Sequence, residues 1–161
     1  PVYVLDKVEY NKEKMGSEEI RTLLLSGDVS EVAKILGRFY TVTGEVVPGD
    51  QIGRKIGYRT ANIDMKEDFQ LIRNGVYLVN VCLNDKKYLG VANYGNNPTL
   101  NYCEKPRLEA HILDFQGDLY GQQISLEFQE FLRPEAKYQN PEELKKQIEN
   151  DIATIRKGMR E

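Results

Sequence analysis

The hydrophobic period changes twice along this chain. Between residues 17 and 37 apolar residues recur at helical spacing, Ile20, Leu23 and Leu24 on one stripe and Val32, Ile35 and Leu36 on a second. Ser17 is placed to cap the first helix and Gly27 to stop it, while Asp28 and Glu31 have capping-box spacing for a short second helix ending at Gly37. Beyond Gly37 the pattern breaks into β-type runs at 39–47, 75–83, 88–93, 107–115 and 122–132. Asn84-Asp85-Lys86 and Gln116-Gly117-Asp118 supply turn chemistry, which predicts hairpins and antiparallel pairing of successive strands. An antiparallel barrel that closes its own edges accommodates such strands. Helical spacing returns at 141–156, where Leu144, Ile148, Ile152 and Ile155 form a stripe behind an Asn140 cap and Pro141. The stripe is expected to pack on the barrel.

Composition narrows the class. A chain of 161 residues, 40% hydrophobic and 29% charged, is enough for one compact domain with appendages. No apolar run approaches the roughly 20 residues of a membrane span, and residues 1–10 mix charge into their apolar positions, so the expected location is the cytoplasm. Two cysteines, Cys82 and Cys103, and one histidine support neither a disulfide framework nor a thiolate zinc site. A net charge of −3 argues against a nucleic acid, whose binding needs a basic surface. A nucleotide is still compatible, because a few aimed N–H groups and one metal ion can neutralise a triphosphate.

Four clusters carry candidate chemistry. Residues 44–62, GEVVPGDQIGRKIGYRTAN, set Gly49, Gly53 and Gly57 four apart with Arg54 and Lys55 between them. Glycine N–H groups can converge on phosphate oxygens, but the loop fits neither GxxxxGK[ST] nor GxGxxG, and a structural turn explains it equally well. Thr60 and Asn62, alternate residues of an extended segment, offer a hydroxyl and an amide oxygen to one hard cation, or else serve as ordinary turn hydrogen-bonders. Residues 90–99, GVANYGNNPT, read as an ordered turn. In Arg107-Leu108-Glu109-Ala110-His111 strand alternation puts Arg107, Glu109 and His111 on one face. Glu109 there is either a base for a hydroxyl or a salt-bridged surface carboxylate, and His111 either a base or a hydrogen-bonded structural residue. Arg133, in Phe131-Leu132-Arg133-Pro134-Glu135, leaves a strand at a loop, as a ligand clamp or an ion-pair partner.

In this order GRKIGYRTANI, GVANYGNNPT, LEAHILDF, DLYGQQI and FLRPEAKY resemble the riboflavin kinase family, from Gly37 to about Gly158. The resemblance implies a mainly β fold, a six-stranded antiparallel Greek-key barrel with a C-terminal helix, preceded here by short N-terminal helices. It implies phosphorylation of the terminal ribityl hydroxyl of riboflavin by ATP with Mg2+ or another divalent metal, giving FMN and ADP. Carried over by position, Glu109 resembles the general base, Thr60 and Asn62 the metal and phosphate ligands, and Gly49, Gly53, Lys55 and Gly57 nucleotide-binding residues. Arg133 resembles a flavin-side contact, and Phe131 or Tyr138 serves either as an aromatic wall or equally as core. The family usually carries proline where this chain has Arg59, so the loop loses a ring that fixes φ.

Gly16-Ser17-Glu18-Glu19-Ile20-Arg21 partly resembles the segment that closes the adenylyltransferase half of bifunctional riboflavin kinase/FMN adenylyltransferases. Residues 1–36 are therefore expected to be a helical linker from such a half, and 37–161 the kinase domain. So short a linker cannot form a doubly wound nucleotidyltransferase, and FMN adenylyltransferase activity is not expected of this fragment alone. The competing reading is a catalytically silent flavin- or nucleotide-binding barrel, with Arg59 as its support. An oligonucleotide-binding barrel is disfavoured by charge and by the lack of basic residues interleaved with stacking aromatics.

Overall fold

The computed structural model describes residues 9–10, 13–49, 57–65, 71–95 and 106–158. Two short strands, β1 (Glu9–Tyr10) and β2 (Glu13–Lys14), pair with each other ahead of α1 (Ser17–Ser26) and α2 (Val29–Leu36). Six further strands follow: β3 (Tyr40–Val47), β4 (Ala61–Met65), β5 (Gly75–Leu83), β6 (Lys86–Gly95), β7 (Arg107–Ile112) and β8 (Gln123–Arg133). They close an all-antiparallel barrel in the order β3-β4-β7-β6-β5-β8, and α3 (Pro141–Gly158) ends the described chain.

Period-two burial builds this barrel. In β7 Leu108, Ala110 and Ile112 point inward and Arg107, Glu109 and His111 outward, while Val42, Val46, Ile63, Val79, Val81, Leu126 and Phe128 fill the interior from the other strands. Leu24, Val29 and Val32 bring α1 and α2 into the same core. The α3 helix lies on the outer face, where Ile155 and Ile152 pack with Val76, Leu78, Val91 and Leu132. Of the expected stripe Ile155 is buried and Leu144, Ile148 and Ile152 are half-buried.

Local punctuation agrees with the expected elements at most ends. Gly27 stops α1 at φ 93°, a left-handed conformation that a side chain would strain. Asn84 and Asp85 take φ of 46° and 63° and join β5 to β6 in a tight hairpin. The Glu143 N–H donates to Asn140 Oδ1 at 2.9 Å, so Asn140 caps α3 as expected.

Three expectations change. Ser17 is the first residue inside α1 and not its cap, because the Glu19 carboxylate reaches back to accept the Gly16 N–H at 2.9 Å. Asp28 flanks α2 without a capping bond, its carboxylate accepting the Ser26 hydroxyl at 3.0 Å, and Glu31 pairs instead with Lys34 at 2.9 Å. Residues 116–118 do not close a hairpin: β7 already has β4 and β6 as neighbours, and β8 has β3 and β5. The connection therefore crosses to the far side of the barrel, the Greek-key step that turn chemistry alone does not reveal.

Candidate functional site

The barrel's register assembles one row of cross-strand neighbours. Asn62 of β4 lies opposite Glu109 of β7, Glu109 opposite Asn93 of β6, Asn93 opposite Val76 of β5, and Val76 opposite Arg133 of β8. Directly opposed residues project to the same face with Cβ atoms about 5 Å apart. That face is the outer one, since Ala61, Ile63, Leu108, Ala110, Ala92 and Tyr94 on either side of the row face the core. An amide, a carboxylate and a second amide thus stand in line on rigid backbone.

Gly49 shapes the β4 end of the row. A Cβ on Gly49 would fall on the Asn62 side-chain amide, so only a bare α-carbon leaves that amide its place. Thr60 immediately precedes β4, two residues before Asn62. Beside it opens a cavity of about 590 Å³, within the range of small-ligand sites, lined by Gly57, Arg59, Thr60 and His111 and by the loop of Phe115, Asp118 and Tyr120. Asp118 rigidifies that loop, accepting the Tyr120 N–H on its carboxylate at 3.0 Å and the Gln122 amide on its carbonyl at 2.8 Å.

Two contacts hold the segment before Thr60. His111 Nδ1 lies 2.8 Å from the Arg59 carbonyl, and because a carbonyl only accepts, Nδ1 is the donor. The Tyr58 ring meets the His111 ring edge-on at 5.1 Å, and its hydroxyl donates to Glu149 of α3 at 3.3 Å. Burial, with the Glu149 charge and bond behind it, pushes the Tyr58 phenol above its ordinary pKa. Of the two readings of His111, the geometry matches the hydrogen-bonded structural one.

At the other end the Arg133 guanidinium forms a forked pair with Asp151 of α3, Nε at 3.0 Å and Nη2 at 2.8 Å, while Nη1 donates to the Pro134 carbonyl at 3.1 Å. Gln147 gives Asp151 a further bond at 2.9 Å. Arg133 therefore ties β8, its following loop and α3 together. The Tyr138 hydroxyl is buried close to Arg133. Phe131 is committed elsewhere, edge-on to Tyr77 at 5.2 Å and beneath Arg73 at 4.5 Å.

Glu135 stands in the motif around Arg133, and Asn93 in a run whose composition suggests an ordered turn. The structure brings them together: the Asn93 amide donates to Glu135 at 3.3 Å, and the Glu135 carboxyl occupies the space a side chain on Gly95 would need. Burial raises the Glu135 pKa, partly opposed by the Asn93 bond. Outward alternation from Val91 through Asn93 was the signal that could have placed Asn93 beside Glu109. Of the expected site residues, Gly49, Gly57, Thr60, Asn62, Glu109 and Arg133 are described, and Gly53 and Lys55 lie outside the described residues.

The donor set suits a hard cation shared with a ligand. No group of three or more His, Cys, Asp or Glu is positioned for a metal among the described residues. A hydroxyl at Thr60 and an amide oxygen at Asn62 are hard oxygens of the kind Mg2+ combines with phosphates and water.

Comparison with known proteins gives the family and agrees with the barrel fold. The riboflavin kinase family model, Flavokinase, matches residues 36–159. A bifunctional riboflavin kinase/FMN adenylyltransferase of Listeria monocytogenes is 37% identical over 150 residues, covering 93% of this chain and 48% of the relative. That of Bacillus subtilis is 36% identical over 150 residues, 92% of this chain and 48% of the relative. The chain thus spans about half the length of these curated relatives. A Streptococcus pneumoniae structure described as a macrolide-efflux protein superposes with a TM-score of 0.85 at 35% identity, over 93% of this chain and 49% of that one. Riboflavin kinase from Trypanosoma brucei, at 20% identity, shares the fold with a TM-score of 0.54 over 77% of this chain and 82% of its own.

Proposed function

The chain belongs to the riboflavin kinase family, and from that premise we propose that it transfers the γ-phosphoryl group of ATP to the terminal ribityl hydroxyl of riboflavin, giving FMN and ADP. The observation that carries the reading is the register that sets Asn62 directly opposite Glu109. A phosphate-side amide and a carboxylate base then face one reacting centre.

Phosphoryl transfer demands alignment and charge stabilisation more than covalent help. Glu109 accepts a hydrogen bond from the ribityl hydroxyl and aims its oxygen at the γ-phosphorus. As the new P–O bond forms and the bond to the β,γ-bridging oxygen breaks, the hydroxyl proton passes to the Glu109 carboxylate and ADP departs. A divalent cation, when bound, neutralises charge on the β- and γ-phosphate oxygens. Thr60 and Asn62 would hold it, with Gly49 keeping the Asn62 amide in place. Gly49 and Gly57 border the nucleotide, joined by Gly53 and Lys55 from outside the described residues, and the cavity beside Thr60 is the site of the nucleoside.

Arg133 is proposed to border the flavin, acting through the loop it anchors by the Pro134 carbonyl, with Tyr138 as the aromatic side of that loop. No described helix is long and apolar enough to cross a membrane, and a kinase drawing on ATP is proposed to work in the cytoplasm. The longer protein to which such a chain corresponds is proposed to carry an adenylyltransferase half, as the relatives' names state for them; FAD formation is not assigned to this chain alone.

The test separates the two ends of the site. Asn62→Ala should weaken MgADP binding by about tenfold or more, whereas Glu109→Gln should spare binding and lower kcat. Flavin binding without turnover in the unmodified protein would return the chain to a silent binding barrel.

A further inference from the structure

We infer that His111 is a positioning residue for the phosphate-binding segment: its Nδ1–H grips the Arg59 carbonyl and so sets the peptide plane from which Thr60 projects. The inference rests on the assignment of Thr60 to the metal–phosphate site. The carbonyl of Arg59 and the N–H of Thr60 share one planar unit, so fixing the first fixes the second. The bond is 2.8 Å long and starts from β7, where Ala110 pairs with Ala61 and His111 stands level with Thr60.

Arg59 is exposed and its side chain has no ring to limit φ, so the 58–60 backbone keeps more freedom than a proline at 59 would leave it. His111 restricts that freedom from the neighbouring strand, and Tyr58 adds to the restraint, with its ring edge-on to the imidazole at 5.1 Å and its hydroxyl on Glu149. The imidazole is occupied on its Nδ1 side by backbone, which is a different task from proton abstraction. Glu109, two residues earlier on the same face, is the group opposite Asn62.

Asparagine distinguishes this role from a base and from general packing. Its Nδ2 falls near the position of imidazole Nδ1 and keeps the donor, but the amide does not act as a base. MgADP binding and FMN binding are measured by calorimetry on the chain, with MgATP KM and kcat alongside. His111→Ala is expected to weaken MgADP binding about tenfold and raise the MgATP KM correspondingly, with FMN affinity unchanged within about twofold. His111→Asn is expected to return MgADP affinity to within about threefold of the unmodified protein. If alanine impairs folding, His111→Val, which suits a strand, serves as the variant without a donor. The Thr60→Ala/His111→Ala pair should bind MgADP no more weakly than Thr60→Ala alone, because His111 acts through Thr60.

Unchanged MgADP affinity in the variants without a donor would overturn the inference, as would full additivity with Thr60→Ala or failure of His111→Asn to restore binding while FMN affinity stays normal. Unchanged MgADP binding in Thr60→Ala would instead remove the phosphate assignment on which the inference stands.

Discussion

At the residue scale the candidate site is set by strand alternation and register. Glu109 is placed by alternation along β7 and by its opposition to Asn62 and Asn93. Glu109→Gln should lower kcat by about 10²- to 10⁴-fold, the usual contribution of a positioned base, while MgADP affinity in calorimetry stays within about twofold. Gly49→Ala places a methyl on the Asn62 amide. It should raise the magnesium concentration needed for half-maximal turnover while leaving flavin affinity intact. Glu135 gives a pH signature. Burial raises its folded pKa above the unfolded value, so its stabilising contribution is present below the unfolded carboxylate pKa and is lost as pH rises through the folded one. Glu135→Gln should therefore melt at a higher temperature than the unmodified protein at pH 7, with the gap closing as pH falls towards 4 in thermal denaturation. Glu109 stands out by alternation and takes its role from resemblance, whereas the Asn93–Glu135 pair is not legible, because it joins β6 to the loop after β8, 42 residues apart.

Elements reveal more of themselves in sequence than their joins do. The long amphipathic stripes and alternating runs identify α1, α2, α3 and most of the barrel strands, because burying one face dictates the residue pattern locally. Cap chemistry is less secure. Asn140 behaves as its position suggests, but the α1 cap passes to Gly16, whose N–H the Glu19 carboxylate accepts. The docking of α3 also depends on Asp151, a buried polar residue whose partners lie on β8 and one helical turn away. Asp151→Ala should strand the Arg133 guanidinium in a half-buried site and destabilise the fold by about 3–5 kcal/mol in urea denaturation. FMN binding should weaken with it, since the Pro134 carbonyl loses a fixed partner.

For the whole molecule, pattern and resemblance together pointed to a barrel, while the strand order could not be read from local chemistry. Turn residues at 116–118 look like a hairpin, yet β7 and β8 sit on opposite sides because their edges are already paired. Closure explains why the site is preorganised: no strand of the barrel has a free edge, and the row from Asn62 to Arg133 runs across five adjoining strands. The α3 helix then joins the two ends of the site, reaching Tyr58 through Glu149 and Arg133 through Asp151. This outer face is proposed to perform metal-dependent phosphoryl transfer to riboflavin. The most direct measurement is FMN formation from riboflavin and MgATP with separation of the flavins, run beside Glu109→Gln and a chelated sample. FMN is expected from the unmodified chain, none with chelator, and a loss of at least about 10²-fold in the variant. Tight riboflavin and ADP binding with no FMN formed would contradict the proposal.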